Sequence, residues 1–265
     1  MPKTNNKKNT VMVMNQKGGV GKTTLSFSIA AAAAKAGRSV LLLDMDPQAS
    51  LTTWILGEEE PKWSTFDIFN DTSGKKEIVA IEACEGVDLL PSTLDLCIAD
   101  MVIAGKIRRE EILKNFLTNI KGDYDIVLID CPPTLGIITT NILAAADHIV
   151  VPTTAETMSI KGITLLENVI AQLNENGVTA IEEIEAIAVM MYQSFITHQR
   201  NNASSLRLRY GNAVLPTAVR KGTVASEAAG RGLDIFTYTK EAKKDARLAN
   251  DLAAITMEIL EKFNL

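Results

Sequence analysis

The sequence predicts an α/β protein: a mostly parallel, twisted β-sheet with helices on both faces. Three observations carry that prediction. Apolar runs at 11–14, 40–43 and 126–129 lack polar alternation, as strands covered on both faces do. Segments of helical pattern separate the runs, which is the alternation of βαβ units. The first run leads into a glycine-bearing stretch, Asn15-Gln16-Lys17-Gly18-Gly19-Val20-Gly21-Lys22-Thr23-Thr24, and an Ala-rich segment leads out of it.

In chain order, the first strand is expected over 10–14. The helix after the glycine stretch should run from Lys22 to about Ala36. It is apolar almost all round, with Leu25, Phe27, Ile29 and a run of alanines, which suits burial against a sheet. Gly37 suits the position just past its end. The second strand is 39–44, followed by a turn at Pro47 and a helix over 49–56. Residues 57–76 read as irregular, with Pro61, Trp63 and Phe66. A short strand, 87–90, precedes Pro91, and Ser92 is placed to cap a helix reaching Ala104. Another helix spans about 108–120. The strand at 124–130 is broken by Pro132-Pro133. Then come a helix at 135–146, a strand at 148–151, a long helix at 159–176 and a strand at 184–191. A helix at 201–210, a strand at 213–215, a helix at 223–230 and a final helix at 240–263 complete the pattern. No internal repeat or Gly/Pro/Ser-rich linker interrupts it. Residues 10–265 therefore read as one domain, preceded by a loose polar tail over 1–9.

The chain has 265 residues, of which 46% are hydrophobic and 22% charged, so a sizeable core forms and disorder is excluded. A net charge of −5 excludes a generally basic coat but leaves room for a local basic face. Residues 197–247 hold ten Lys/Arg against four acids, a local excess of six that leaves −11 for the rest. That asymmetry points to a polyanion site in the C-terminal third. Cys84, Cys97 and Cys131 form no C-x-x-C, which argues against a zinc site or structural disulfide and fits a reducing cytoplasm. No signal peptide is expected from this N-terminal stretch, and the apolar runs fall well short of the ~20 residues that cross a bilayer.

Strand, glycine loop and helix is an arrangement that binds phosphate. Glycines let successive N–H groups turn inward, and the helix N-terminus adds the positive end of a dipole. Lys22 can then reach the β- and γ-phosphates, and the Thr23 hydroxyl can ligate Mg²⁺. The usual G-x-x-x-x-G-K-[ST] pattern is altered: Gln16 stands at the first glycine position and a second lysine, Lys17, follows. Sheets of this kind bind ligands beyond the carboxyl ends of their strands. Asp44 and Asp46, within Asp44-Met45-Asp46-Pro47-Gln48, and Asp130 lie where such ends should be. A carboxylate there is poised to hold Mg²⁺ directly or through water. A single aspartate would read as a helix cap; three converging on a glycine loop do not.

Lys-Gly-Gly-Val-Gly-Lys-Thr, at 17–23, resembles the deviant P-loop (Walker A) of the ParA/Soj/MinD family of ATPases. Asp44-x-Asp46-Pro-Gln resembles that family's first switch, and Asp130-Cys-Pro-Pro its Walker B acid and second switch. Val150-Val-Pro-Thr and Ser226-Glu-Ala…Ile235-Phe-Thr-Tyr are similar to later family patterns, so the resemblance covers most of the chain. It implies a P-loop NTPase fold with ATP and Mg²⁺ as cofactors. Nucleotide would be bound by Lys17, Gly18, Gly19, Val20, Gly21, Lys22, Thr23 and Thr24. Thr23, Asp44 and Asp130 would serve the metal. Lys17, Lys22 and Asp46 would be catalytic, Asp46 by orienting the attacking water. Lys17 would be the signature lysine that reaches across a homodimer to the partner's nucleotide. The implied activity is that of a cytoplasmic, nucleoid-associated partition ATPase. It would dimerise on ATP, bind DNA nonspecifically and let go after hydrolysis stimulated by a ParB-like adaptor, so segregating plasmid or chromosomal DNA. The family's usual DNA-binding arginine positions align with Phe195 and Val224. Arg200, Arg207, Arg209, Arg220, Lys221 and Arg231 are the candidates to replace them.

Two other classes compete. A MinD-like membrane-positioning ATPase needs a C-terminal amphipathic, usually basic segment, whereas 258–265 is acidic and continues an ordinary helix. A metabolic relative would be a nucleotide-dependent ligase or an iron–sulfur reductase. For the reductase only Cys97 and Cys131 are available, without a supporting glycine motif. The glycine loop begins close to residue 1, so no helix-turn-helix is expected ahead of it, and no operator binding.

Overall fold

The computed structural model describes residues 9–71, 79–120 and 124–265. The elements in order are β1 (Asn9–Val13), α1 (Lys22–Lys35), β2 (Val40–Asp44), α2 (Ser50–Leu56), α3 (Thr65–Asn70), β3 (Ile81–Cys84), β4 (Val87–Leu90), α4 (Ala99–Ile103) and α5 (Ile112–Asn119). They continue with β5 (Ile126–Asp130), α6 (Ile137–Ala145), β6 (His148–Thr154), α7 (Ser159–Glu175), β7 (Ala186–Tyr192), α8 (Thr197–Tyr210), β8 (Val214–Arg220), α9 (Val224–Ala229), α10 (Ile235–Glu241) and α11 (Arg247–Phe263).

The strands form one eight-stranded sheet in the order β3-β4-β2-β5-β1-β6-β7-β8. Every pairing is parallel except that of β3 with β4. The expected α/β class therefore holds. The strand pleat sorts the core into two layers. Met12, Leu41, Leu43, Val127 and Ile129 face one layer, beneath α3 to α8. Val11, Val13, Val40, Leu42 and Leu128 face the other, beneath α1, α2, α9, α10 and α11. These residues are buried on both sides of the sheet, which is why the central strands read as continuous apolar runs.

Pro152 lies within β6, an interior strand, where a missing N–H would normally cost a ladder bond. β1 pairs with β6 only as far as Val13–Val150, and the Asn15 side chain takes over, donating from Nδ2 to Pro152 O at 2.7 Å. The proline therefore sits just past the ladder on that side. This let β6 run to Thr154, beyond the expected end at Val151.

Other departures have local causes. Asn9 belongs to β1; the rest of the expected 1–9 tail lies outside the described residues. The stretch read as irregular contains α3, started by a capping box between Ser64 and Asp67. Ser92 does not cap a helix: it is buried, its N–H donates to Thr52 Oγ1 at 2.8 Å, and a 3-10 turn over Leu94–Ile98 leads into the short α4. β3 is a partly exposed edge strand of four residues, too short and with Glu82 too polar to show a strand pattern. β8 extends to Arg220 because the sheet ends there and Pro216 is tolerated at an edge. The single final helix divides into α10 and α11. Asp234 caps the first, accepting from Phe236 and Thr237 N–H at 3.0 and 3.1 Å, and Lys243 turns left-handed (φ +49°) between the two.

Leu42 is fully buried in the centre of β2. Leu42→Ala is expected to destabilise the chain by roughly 2–5 kcal/mol, read as a lower urea midpoint with an unchanged slope.

Candidate active site

The loop between β1 and α1 opens at the carboxyl end of the sheet. Gly19 and Gly21 adopt φ of +69° and +91°, where a side chain is strained. A Cβ on Gly21 would also meet Met190 Cε at 3.3 Å. α1 has no side-chain cap and no acid in its first turn. Its first N–H groups thus remain available to an anion. Gln16 Nε2, at the altered glycine position, is another buried donor with no partner among the described residues. Lys22 is buried at the head of α1, and Val20 is tucked into the core.

Asp130 ends β5 with both oxygens engaged on α1. Thr23 Oγ1 donates to Oδ2 at 2.7 Å and Ser26 Oγ to Oδ1 at 2.9 Å. Asp44 ends β2 directly beside it, in register with Asp130. Its Oδ2 accepts the Thr52 N–H at 2.9 Å and the Thr52 hydroxyl at 2.8 Å, and its Oδ1 accepts the Asp46 N–H at 3.1 Å. Both carboxyls are buried. Burial pushes Asp44 up to about 6. Burial, and then the charge of Asp44, push Asp130 up to about 7, against the opposing pull of the Thr23 and Ser26 hydroxyls and Lys22. A divalent cation at the Thr23 hydroxyl would reverse that balance. Among the described residues no three acid, His or Cys side chains gather, so such an ion would complete its shell with phosphate and water. The donor set and the uncapped helix thus fit a magnesium–triphosphate unit.

Gly18, Gly19, Gly21, Lys22, Thr23 and Thr24 line a cleft of about 520 Å³ together with Asp46. Asp46 is held in its loop by accepting the Gln48 N–H at 2.9 Å. The rest of the lining is more apolar: Met190, which packs against Gly21, with Met191, Val219, Leu248 and Leu252. Lys17 is not on the wall of its own cleft. Its ammonium turns outward to the Glu156 carboxylate and lies 3.3 Å from Thr154 Oγ1.

The structure brings the loop residues and the three aspartates together but scatters the basic candidates. Arg200, Arg207 and Arg209 are on α8, and Arg209 is occupied with Thr164 at 2.9 Å and Glu167 at 3.9 Å. Arg220 lines the nucleotide-sized cleft, and Asp251 takes its Nε at 2.6 Å and its Nη2 at 2.9 Å. Arg231 follows α9, in the opposite layer from α8. Arg200, Arg207, Lys221 and Arg231 are exposed and have no carboxylate partner among the described residues. Sequence reasoning missed Thr52 and Ser26, which hold the two carboxylates, and the methionines of the lining. Ser26 had a signal: it lies three residues after Thr23, on the same helix face. Thr52 and the methionines had none, because only the tertiary structure turns Thr52 onto Asp44 and brings the methionines to the cleft.

Strand, uncapped glycine loop, helix and strand-end carboxylates define a P-loop NTPase fold. A family profile described as an AAA domain matches residues 8–183. The sporulation initiation inhibitor protein Soj of Bacillus subtilis is 31% identical over 92% of this chain and 98% of its own length. The chromosome partitioning protein ParA of Caulobacter vibrioides is 30% identical over 85% of each chain. A crystal structure of cobyrinic acid a,c-diamide synthase from Mycobacterium smegmatis, with bound ADP and magnesium, is 31% identical with a TM-score of 0.72, covering 90% of this chain and 97% of that one. The chain belongs to the ParA/Soj/MinD family of P-loop ATPases.

Gly21→Ala places a side chain at φ +91° against Met190. It is expected to cost about 1–3 kcal/mol of stability and to weaken nucleotide binding, checked by thermal melts with and without Mg·ATP.

Proposed function

We propose that this chain is a ParA-type partition ATPase working as a single domain over 10–265. It binds ATP with Mg²⁺, pairs with a second copy, holds DNA without sequence preference, and is released after adaptor-stimulated hydrolysis. The observation that carries the reading is the convergence of Lys22, the Thr23–Asp130 hydrogen bond and the cleft-facing Asp46 on the uncapped head of α1.

The roles follow from position. The first N–H groups of α1 and the loop receive phosphate oxygens, and Lys22 offsets their charge from a buried site. Thr23 would present its hydroxyl oxygen to the metal, with Asp130 accepting the hydroxyl's hydrogen bond and so fixing its direction. Bound Mg²⁺ would neutralise phosphate charge as it develops. Asp44 aims the next loop: by accepting the Asp46 N–H it holds that carboxylate toward the cleft, where Asp46 orients the attacking water. Lys17, turned out of its own cleft, is available to a second subunit's nucleotide, as a finger supplied in trans.

For the DNA face, Arg200 and Arg207, which have no carboxylate partner among the described residues, are seven residues apart on α8 and so share one side of it. Membrane positioning finds less support. Leu252, Ile255, Ile259, Leu260 and Phe263 of α11 are buried against the sheet, leaving that apolar face none to offer a bilayer.

Asp46→Ala is expected to keep ATP-dependent dimers by sedimentation while turnover falls about 10²-fold or more. Normal turnover would move the water-orienting role elsewhere. Turnover with DNA present and no small-molecule acceptor separates this reading from a ligase's. Arg200→Glu with Arg207→Glu should weaken DNA binding for all sequences alike and reduce the salt slope by about 2. A slope equal to that of the unaltered chain would place the DNA face on other residues.

A further inference from the structure

Lys17 has a partner of its own. The front of the loop is tied down: Asn15 is buried, its Nδ2 donates to Pro152 O, and its Oδ1 accepts the Lys17 N–H at 2.9 Å. Those bonds direct the lysine along the end of β6 rather than into the cleft lined by its neighbours Gly18 and Gly19. There the ammonium meets the Glu156 carboxylate and Thr154 Oγ1. Glu156 sits in a closed turn: its N–H donates to Thr154 O at 2.8 Å, and its carbonyl accepts the Ser159 N–H at 3.0 Å. Lys17 in turn holds the Glu156 carboxyl below its ordinary range. The pair is half exposed, 42% and 50%, so a competing anion can reach it.

We propose that Glu156 is a positioning residue for Lys17, a latch that keeps the ammonium engaged until a second subunit presents its triphosphate. This rests on the reading that Lys17 acts in trans. An ammonium held by a carboxylate carries little net charge to a phosphate. The exchange becomes favourable only when a more highly charged anion arrives in reach, which is the nucleotide of an apposed copy. The latch biases association toward triphosphate-bound subunits, because a subunit without it gives Lys17 nothing to exchange for Glu156. It also makes the cost small, since exposed pairs of this kind shift an equilibrium by only a factor of about 1.5 to 5.

The test is Glu156→Gln, which keeps the side chain's size and removes its charge. It is measured by sedimentation equilibrium of the full chain with saturating Mg²⁺ and a non-hydrolysable ATP analogue. Each dimer breaks two pairs, so the variant should associate about two- to twenty-five-fold more tightly. Glu156→Asp, which keeps the charge, should associate like the unaltered chain. In a Lys17→Ala background the Gln substitution should change nothing. A gain in association is not what loss of a merely structural contact produces. Glu156→Gln associating as before or more weakly, while Lys17→Ala has lost association, would overturn the latch and leave the trans role standing. Lys17→Ala associating and turning over normally would overturn the trans role and the latch together.

Discussion

Two aspartates side by side inside the protein are the constraint around which the site is arranged. Asp44 and Asp130 end neighbouring parallel strands in register, and both are buried. Like charges in that setting repel and are poorly solvated, so the fold surrounds them with donors. Thr52 serves one and Thr23 with Ser26 the other, while Lys22 lies close enough to favour the charged form of Asp130. The same groups that make the pair tolerable also place a hydroxyl, an ammonium and an uncapped helix head on one cleft.

Asp44 reaches further than its carboxylate. Its backbone carbonyl accepts the Thr65 hydroxyl at 2.9 Å, and Thr52, which donates to its side chain, also accepts the Ser92 N–H. The ends of β2 and β4 and the starts of α2 and α3 are thereby joined through one residue. Asp46 sits in the same network through its N–H. Trp54 adds rigidity behind it, packing edge-on against Phe27 at 5.5 Å and donating to Leu233 O at 3.0 Å. In the role proposed for Asp46, a water-orienting carboxylate would gain from such a frame, because a small misplacement costs rate steeply.

The basic third of the chain is less uniform in space than in sequence. Asp251 and Glu167, outside that window, face Arg220 and Arg209, and Lys244 and Arg247 pair with Glu227 and Asp245 inside it. Counting charges along the chain overstated the free cations. Of the six candidates, four are left without a carboxylate partner among the described residues: Arg200 and Arg207 on α8, Lys221 just past β8 and Arg231 just past α9.

The sequence by itself determined the class of fold and the centre of the site. Apolar runs must be covered on both faces, and a glycine turn between strand and helix has few other uses, so β1, the loop, α1 and the strand-end acids were legible from local pattern. Short edge elements were not. β3 and the split between α10 and α11 depend on an edge position and on one left-handed lysine, neither of which alters hydrophobic period. Only the tertiary structure decided which groups answer each other across long separations: Lys17 with Glu156, Arg220 with Asp251, Asp130 with Thr23 and Ser26. The reason is physical. Secondary structure follows from forces between near neighbours along the chain, whereas a charge is neutralised by whatever the fold brings within a few ångströms.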